Sequence, residues 1–230
     1  METSYAHMTA TSDLEPFPFS NSSIDVTYLG VPCTNPYVPA ALFAVACDNG
    51  ATVLPFTRRM SEVGNRGNET SRNTFRLLLG LRGDFADRYS WEAYYAHGRT
   101  EDALQSGGQI NTANLQEALN VIDQDGNPLT TDDIICASVV AFNQGCVPVN
   151  VFGLGSITPE AVNWVFAPVQ RQAYTSQEYA GATISGPLFA MPAGDAVFAL
   201  GVEWRRERSE DVTDALTQTG QNAGNIQDPV

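Results

Sequence analysis

Residues 72–85 read RNTFRLLLGLRGDF and residues 89–100 read YSWEAYYAHGRT. In the first, Phe75, Leu77, Leu79 and Leu81 share one side of an extended chain, and Thr74, Arg76, Leu78, Gly80 and Arg82 share the other. A period of two marks a strand, because successive side chains point to opposite faces of a sheet. The second segment alternates in the same way, Trp91, Ala93, Tyr95 and His97 against Glu92, Tyr94, Ala96 and Gly98. Only a short turn at about Ala86 to Arg88 separates them, which predicts a hairpin. With Leu81 opposite Ala93, Arg82 falls opposite Glu92, a cross-strand pair of opposite charge on the polar face.

The design recurs further along. AYTSQEYAGATISG (173–186), a turn through Pro187 to Gly194, and DAVFALGVEWRRERSE (195–210) form a second predicted hairpin. Its last strand sets Ala196, Phe198, Leu200, Val202 and Trp204 against Val197, Ala199, Gly201, Glu203 and Arg205. Aromatic residues gather towards the strand ends. Residues 1–12, opening METSYAHMTA, make a weaker fifth strand. Each strand reaches the roughly 9 to 11 residues that cross a bilayer at a tilt. The connections are lopsided, with short turns inside the hairpins and long loops at 13–71 and 101–172. Two such loops are unusual in a compact soluble domain. The pattern predicts an all-β fold: an antiparallel transmembrane β-barrel segment of about five strands, with long extracellular loops that carry short helices. The whole of 1–230 is read as one partial barrel domain.

Composition narrows the classes. The chain has 230 residues, 43% hydrophobic and 10% aromatic, enough to exclude wholesale disorder. Its formal net charge is −14 and all of its basic residues are arginine, so the electrostatic footprint of a nucleic-acid binder is missing and no nucleic-acid partner is expected. No apolar run approaches the roughly 20 residues of a membrane-spanning helix, and the residues after Met1 lack a basic start with an apolar signal core.

Four cysteines fall as two close pairs, Cys33 with Cys47 and Cys136 with Cys146, each in a Pro/Gly-rich region. Neither pair has CxxC spacing, and the only histidines, His7 and His97, lie far from both, so two local disulfides in an oxidising compartment are expected instead of a metal site. The loops carry helix signals as well. In TANLQEALNVID, Thr112 is the predicted cap, with Leu115, Ala118, Leu119 and Ile122 on one side. Farther on, Thr158 caps, Pro159 takes the first helical position, and Val162, Val165 and Phe166 form a stripe. The segment around that helix, CVPVNVFGLGSITPEAVNW (146–164), reads as a compact apolar knot.

At these residues the sequence resembles a known family. CVPVNVFG followed by SITPEAVNW is similar to an extracellular-loop signature of TonB-dependent outer-membrane receptors. NPYVPAAL (35–42), NTFRLLLGLRGDF with WEAYYAHGRTE, and FALGVEWRRE (198–207, Trp204 standing where the family has Tyr) resemble further segments of those receptors in the same order. The resemblance implies a barrel of about 22 strands with a plugged lumen. It also implies a bacterial outer-membrane location, contact with outer-membrane lipid, and uptake of a small-molecule nutrient, a siderophore, vitamin or saccharide, driven through the TonB complex. A plug domain and a TonB-contacting segment are not found in the 230 residues, so the chain is expected to be an internal piece of such a receptor. The knot would be the folded part of a loop at the barrel mouth, where substrate is first met.

Inward strand residues Arg76, Arg82, Arg99, Glu203 and Arg205, with Asn150 and Phe152 in the knot, are the expected substrate contacts; ion-pair ladders bracing the barrel wall are the plainer account of the charged ones. DQDGNPLTTDD (123–133) places Asp123, Asp125 and Asn127 at every second residue, yet Gly falls at position 4 and Ile134 stands where the EF-hand needs Glu, so a turn with incidental carboxylates is expected. The Arg82-Gly83-Asp84 tripeptide reads as a strand end, and no meaning attaches to the Asn21 and Asn68 sequons in a bacterial protein. GLGSI is not a nucleophile elbow and His97 has no nucleophile at motif spacing, so neither catalysis nor a cofactor is expected. Two other readings stand beside the receptor: a secreted β-rich module binding a ligand or glycan, and a non-functional product of a truncated gene.

Overall fold

The computed structural model describes residues 1–20, 30–126 and 133–223. The Asn21 sequon and Asn127 lie outside them. In chain order the described strands are β1 (Glu2–Leu14), β2 (Pro18–Ser20), β3 (Val31–Pro32), β4 (Val53–Leu54), β5 (Thr57–Arg59), β6 (Arg66–Phe85), β7 (Tyr89–Ser106), β8 (Val121–Asp123), β9 (Ile134–Cys136), β10 (Val169–Met191) and β11 (Gly194–Thr213). Five short α-helices are described as well, α1 (Ala40–Leu42, continued by a π turn to Cys47), α2 (Thr112–Leu119), α3 (Val139–Asn143), α4 (Pro159–Val165) and, after the last strand, α5 (Ala215–Gln218), with a 3-10 turn at Ser61–Val63. The chain divides into two compact units.

The first unit holds Met1–Ala10, Glu69–Leu104 and Arg171–Val212. It is an antiparallel five-stranded sheet in the order β1-β6-β7-β10-β11, so the weak N-terminal strand takes one edge and both predicted hairpins are present. Ala86 and Asp87 turn the first hairpin with φ of 53° and 50°, the left-handed conformation that matches the twist of paired strands. Two cross-strand contacts fix its register: Thr74 Oγ1 lies 3.3 Å from Thr100 Oγ1, and Arg72 Nε donates to Asp102 at 2.5 Å. The same register sets Leu81 opposite Ala93 and Arg82 opposite Glu92, as expected. The ion pair forms at Arg72 and Asp102, at the far end of the ladder.

The strands run longer than the alternation indicated. β6 starts at Arg66 and β7 continues to Ser106, where polar residues on both faces conceal the period of two. β10 continues through Pro187 to Met191, leaving only Pro192 and Ala193 as the turn. Pro187 is tolerated because Gly186 already packs on Tyr89, the first residue of β7; beyond it β10 has a neighbour on one side only, where a missing N–H is harmless.

The second unit comprises Thr11–Asn68, Gln105–Gln170 and Thr213–Val230, nearly the spans of the predicted loops. It is built around one buried apolar cluster that draws Phe19, Val31, Leu54 and Met60 from the first connection and Leu115, Leu119, Val149, Ile157 and Val165 from the second. Three small antiparallel ribbons, β2 with β5, β3 with β4 and β8 with β9, line it. Asn111, not Thr112, caps α2, its side chain accepting from the Asn114 amide at 3.1 Å, and the helix ends at Leu119, so Ile122 sits exposed on β8 instead of on the helical stripe. Thr158 caps α4 with Pro159 in its first turn, and Val165 is fully buried; Phe166 is partly exposed beyond the helix. Both disulfides are present, Cys33 with Cys47 and Cys136 with Cys146, at Cα separations of 5.9 and 6.2 Å.

Asn35 is the buried polar hinge of this unit: its side chain donates to the Leu119 carbonyl at 2.8 Å and accepts from the Tyr37 amide at 2.8 Å. Replacing Asn35 with Ala strands both groups and is expected to destabilise the unit by about 1 to 3 kcal/mol. Removing the second bridge as Cys136→Ser with Cys146→Ser is expected to cost about 2 to 3 kcal/mol through the freed unfolded chain. Denaturant titration followed by Trp164 fluorescence reads both.

Candidate functional site

The sheet has two chemically distinct faces. One carries a polar network: the Arg72–Asp102 pair, a bidentate Arg171–Asp211 pair, Thr74 with Thr100, Tyr94 Oη at 2.8 Å from Tyr179 Oη, and Gln177 donating to Glu207 at 2.8 Å. Arg76, Arg82, Glu203 and Arg205 belong to this face by strand parity, and Arg205 pairs with Glu207 at 3.4 Å. Close packing sets its shape, because a Cβ at Gly181 would stand 2.3 Å from Tyr94 Oη. Arg99 does not join them. It belongs to the opposite face, over the Tyr174 ring at 5.9 Å and paired with Glu101 at 2.5 Å. The expected set of inward residues therefore splits four to one across the sheet.

The opposite face is apolar through its middle, with Phe75, Leu77, Leu79 and Leu81 on β6, Trp91 and Ala93 on β7, Ala182 and Ile184 on β10, and Phe198, Leu200, Val202 and Trp204 on β11. Leu81 is 71% exposed, Leu200 65% and Val202 71%. Among the described residues every buried apolar side chain lies in the second unit, Val169 at the start of β10 included, and none on the part of the sheet that belongs to the first unit. Aromatic rings mark one end of the band, Phe85 stacking on Tyr89 at 4.9 Å and Tyr89 meeting Phe198 at 6.2 Å.

In the second unit, Asn150 and Phe152 sit at the turn of the apolar knot. Asn150 Oδ1 accepts from the Phe152 amide at 2.9 Å, and its carbonyl accepts from Ser156 Oγ at 2.7 Å, while Phe152 packs against the core. The turn is gripped by an arginine and a glutamate from β5 and the turn after it. Arg58 donates to the Asn150 carbonyl at 3.3 Å and to Ser156 Oγ at 3.0 Å and forms an ion pair with Glu62, which in turn accepts from the Gly155 amide at 2.8 Å. Burial pushes the Glu62 carboxyl upward, but its backbone hydrogen bond, the Arg58 charge and the bonds from Ser61 and Gly155 outweigh that and hold it below the usual range. Arg58 and Glu62 escaped the sequence reading because the turn they grip lies more than 90 residues away, although they pair with each other at four residues' spacing.

Asp123, Asp125 and Asp133 bring carboxylate oxygens within 4.8 Å of one another. Three carboxylates are a ligand set for a hard divalent cation, but Asp133 already accepts from the Asp125 amide and Asp123 from the Gly126 amide, the bonding of an acidic turn. Among the described residues no helix is long and apolar enough to cross a membrane, which leaves crossing by strands untouched. Compared with protein families, with curated proteins and with solved structures, the chain finds no match.

A carboxylate held below its ordinary range contributes stability that is fully present above the unfolded pKa, roughly 4.3 for Glu. That contribution is lost as pH falls through the folded value. The second unit is expected to weaken below about pH 4 more steeply in the wild type than in Glu62→Gln, read as the near-ultraviolet dichroism of the two proteins during acid titration. Parallel titrations would contradict the assignment.

Proposed function

We propose that this chain is part of the β-barrel of a TonB-dependent outer-membrane receptor, which in its whole form imports a scarce small-molecule nutrient. The observation that carries the reading is the sheet with a polar, hydrogen-bonded face and an apolar face whose Leu81, Leu200 and Val202 stay exposed among the described residues. Burial of apolar area drives folding at about 25 cal/mol per Å², so a broad uncovered apolar face is at rest in hydrocarbon and unstable in water. Strands of 18 to 23 residues support the same reading. At about 3.3 Å per residue and a tilt near 45° they outreach a hydrocarbon layer about 30 Å thick. The four ordered segments that resemble such receptors are what supports this choice of family. Closure of the barrel, the plug, the TonB contact and the nutrient belong to the proposal, as does the absence of covalent chemistry on the protein.

The polar face, with Arg76, Arg82, Glu203 and Arg205, would line the lumen, and the folded loop unit with Asn150 and Phe152 would offer the first contacts to substrate. A second reading, a secreted ligand- or glycan-binding module, draws on the loop unit's own core and two disulfides, but it leaves the apolar sheet face without a role.

Two results test the proposal. Sequencing of the genomic DNA on both sides of the frame is expected to reveal a plug domain upstream and further strands downstream; stop codons closing the frame at both ends would overturn it. For the chain folded into lipid vesicles, Leu200→Arg is expected to cost about 2 to 4 kcal/mol near the bilayer centre, whereas Ala199→Arg on the polar face costs far less. Equal costs in a denaturant titration would count against a lipid-facing sheet.

A further inference from the structure

The apolar face does not stay apolar to the strand ends. Along β11 the outward positions run Phe198, Leu200, Val202 and Trp204, and the next two are Arg206 and Arg208. Two other strands change character at the same level, β7 from Tyr95 to His97 and Arg99, and β10 from Ala180 to Glu178 and Ser176, while β6 stays apolar there, with the Phe75 ring 6.4 Å from His97. Successive positions on one face are about 7 Å apart, so the transition from hydrocarbon-like to charged takes one step beyond a row holding Tyr95 and Trp204. Aromatic rings of this kind favour the boundary between lipid tails and headgroups.

Above that row the sheet surface forms an open cavity of about 840 Å³ lined by His97, Arg99, Tyr174, Glu178, Arg206 and Arg208, among others. Its charges are not equally committed. Arg99 is paired with Glu101, and Glu178 is turned towards His97 at 3.9 Å. Elsewhere on the sheet Arg72, Arg171 and Arg205 each hold a carboxylate. Arg206 and Arg208 hold none among the described residues, although Glu207, itself held by Arg205 and Gln177, and Glu210 also line the cavity. Two uncommitted guanidinium groups beside a cavity are suited to an anion with several acceptor oxygens, because the planar fork of Arg bonds phosphate in pairs.

We infer that Arg206 and Arg208, with Arg99 and His97 beside them, form an outward-facing site for the phosphate of an anionic membrane lipid. The inference rests on the membrane-spanning reading above, which gives the site its height at the headgroup layer. Free phosphate has the same chemistry, but the apolar band directly below the cavity offers a place for acyl chains that a free ion cannot use.

The test is fluorescence quenching of the full chain in phosphatidylcholine vesicles by brominated phosphatidic acid against brominated phosphatidylcholine. The wild type is expected to prefer phosphatidic acid. Arg206→Gln with Arg208→Gln should lose about fivefold of that preference per arginine, Arg206→Lys with Arg208→Lys should keep most of it, and Arg76→Gln with Arg82→Gln on the other face should leave it unchanged. Quenching by both lipids with no preference, or a preference indifferent to Arg206 and Arg208, overturns the site while the membrane reading stands. Inorganic phosphate bound with the same arginine dependence, without a preference for phosphatidic acid, overturns the lipid as its source. Quenching by neither lipid contradicts the membrane reading itself, and the site falls with it.

Discussion

A sheet that presents an apolar row on every central strand needs something apolar against that face, and among the described residues of its own unit nothing buries it. All of the buried apolar side chains among the described residues are in the other unit, gathered around Leu115, Leu119, Met60 and Val165. What the sheet does supply is the opposite face, stitched by Arg72 with Asp102, Arg171 with Asp211 and Tyr94 with Tyr179. Hydrogen bonds and ion pairs of that kind set register and spacing but give modest net stability. The missing term must come from the surroundings of the apolar face, and on the proposed reading it comes from lipid.

The loop unit obeys the opposite constraint. It is built from segments far apart in sequence, so it needs ties that act over long separations. Two disulfides close short loops, while Asn35 joins its segment to α2 and Arg58 with Glu62 grips the turn at 150–156. The apolar knot at 146–164 is thereby explained: Val149, Val151, Ile157, Ala161 and Val165 enter one core, and the glycines and prolines between them bend the chain enough to bring them there. A unit stabilised in this way keeps its shape in water, which the proposed contact with substrate requires.

The hairpins were legible in the sequence because a period of two over RNTFRLLLGLRGDF leaves no other regular structure, and the register followed from matching faces. Strand ends were not legible, since Arg66 to Ser71 are polar on both sides and, in Glu101 to Ser106, the apolar Ala103 and Leu104 are adjacent and fall on opposite faces. The cap at Asn111 was missed by one residue because Thr112 is an equally good capping type; only the Asn114 amide chooses between them. Of the expected contacts, Arg76, Arg82, Glu203 and Arg205 share the polar face, whereas Arg99 was misassigned. The switch from apolar to charged on its face at His97 makes it look inward-facing when it is not. Arg58, Glu62 and Asn35 could not have been found by spacing, because each acts on partners 84 to 98 residues away.

The most direct measurement of the two-faced sheet is a spin-label scan of β11, one cysteine at a time from Val197 to Arg205, in a cysteine-compatible background reconstituted in lipid bilayers. Relaxation by oxygen, which concentrates in hydrocarbon, and by a water-soluble nickel chelate should alternate out of phase with a period of two. Positions 198, 200, 202 and 204 should be open to oxygen, and 197, 199, 201, 203 and 205 to nickel. If both sets of positions report the same access to the nickel chelate, the apolar face does not meet lipid, and the barrel reading of this sheet is wrong.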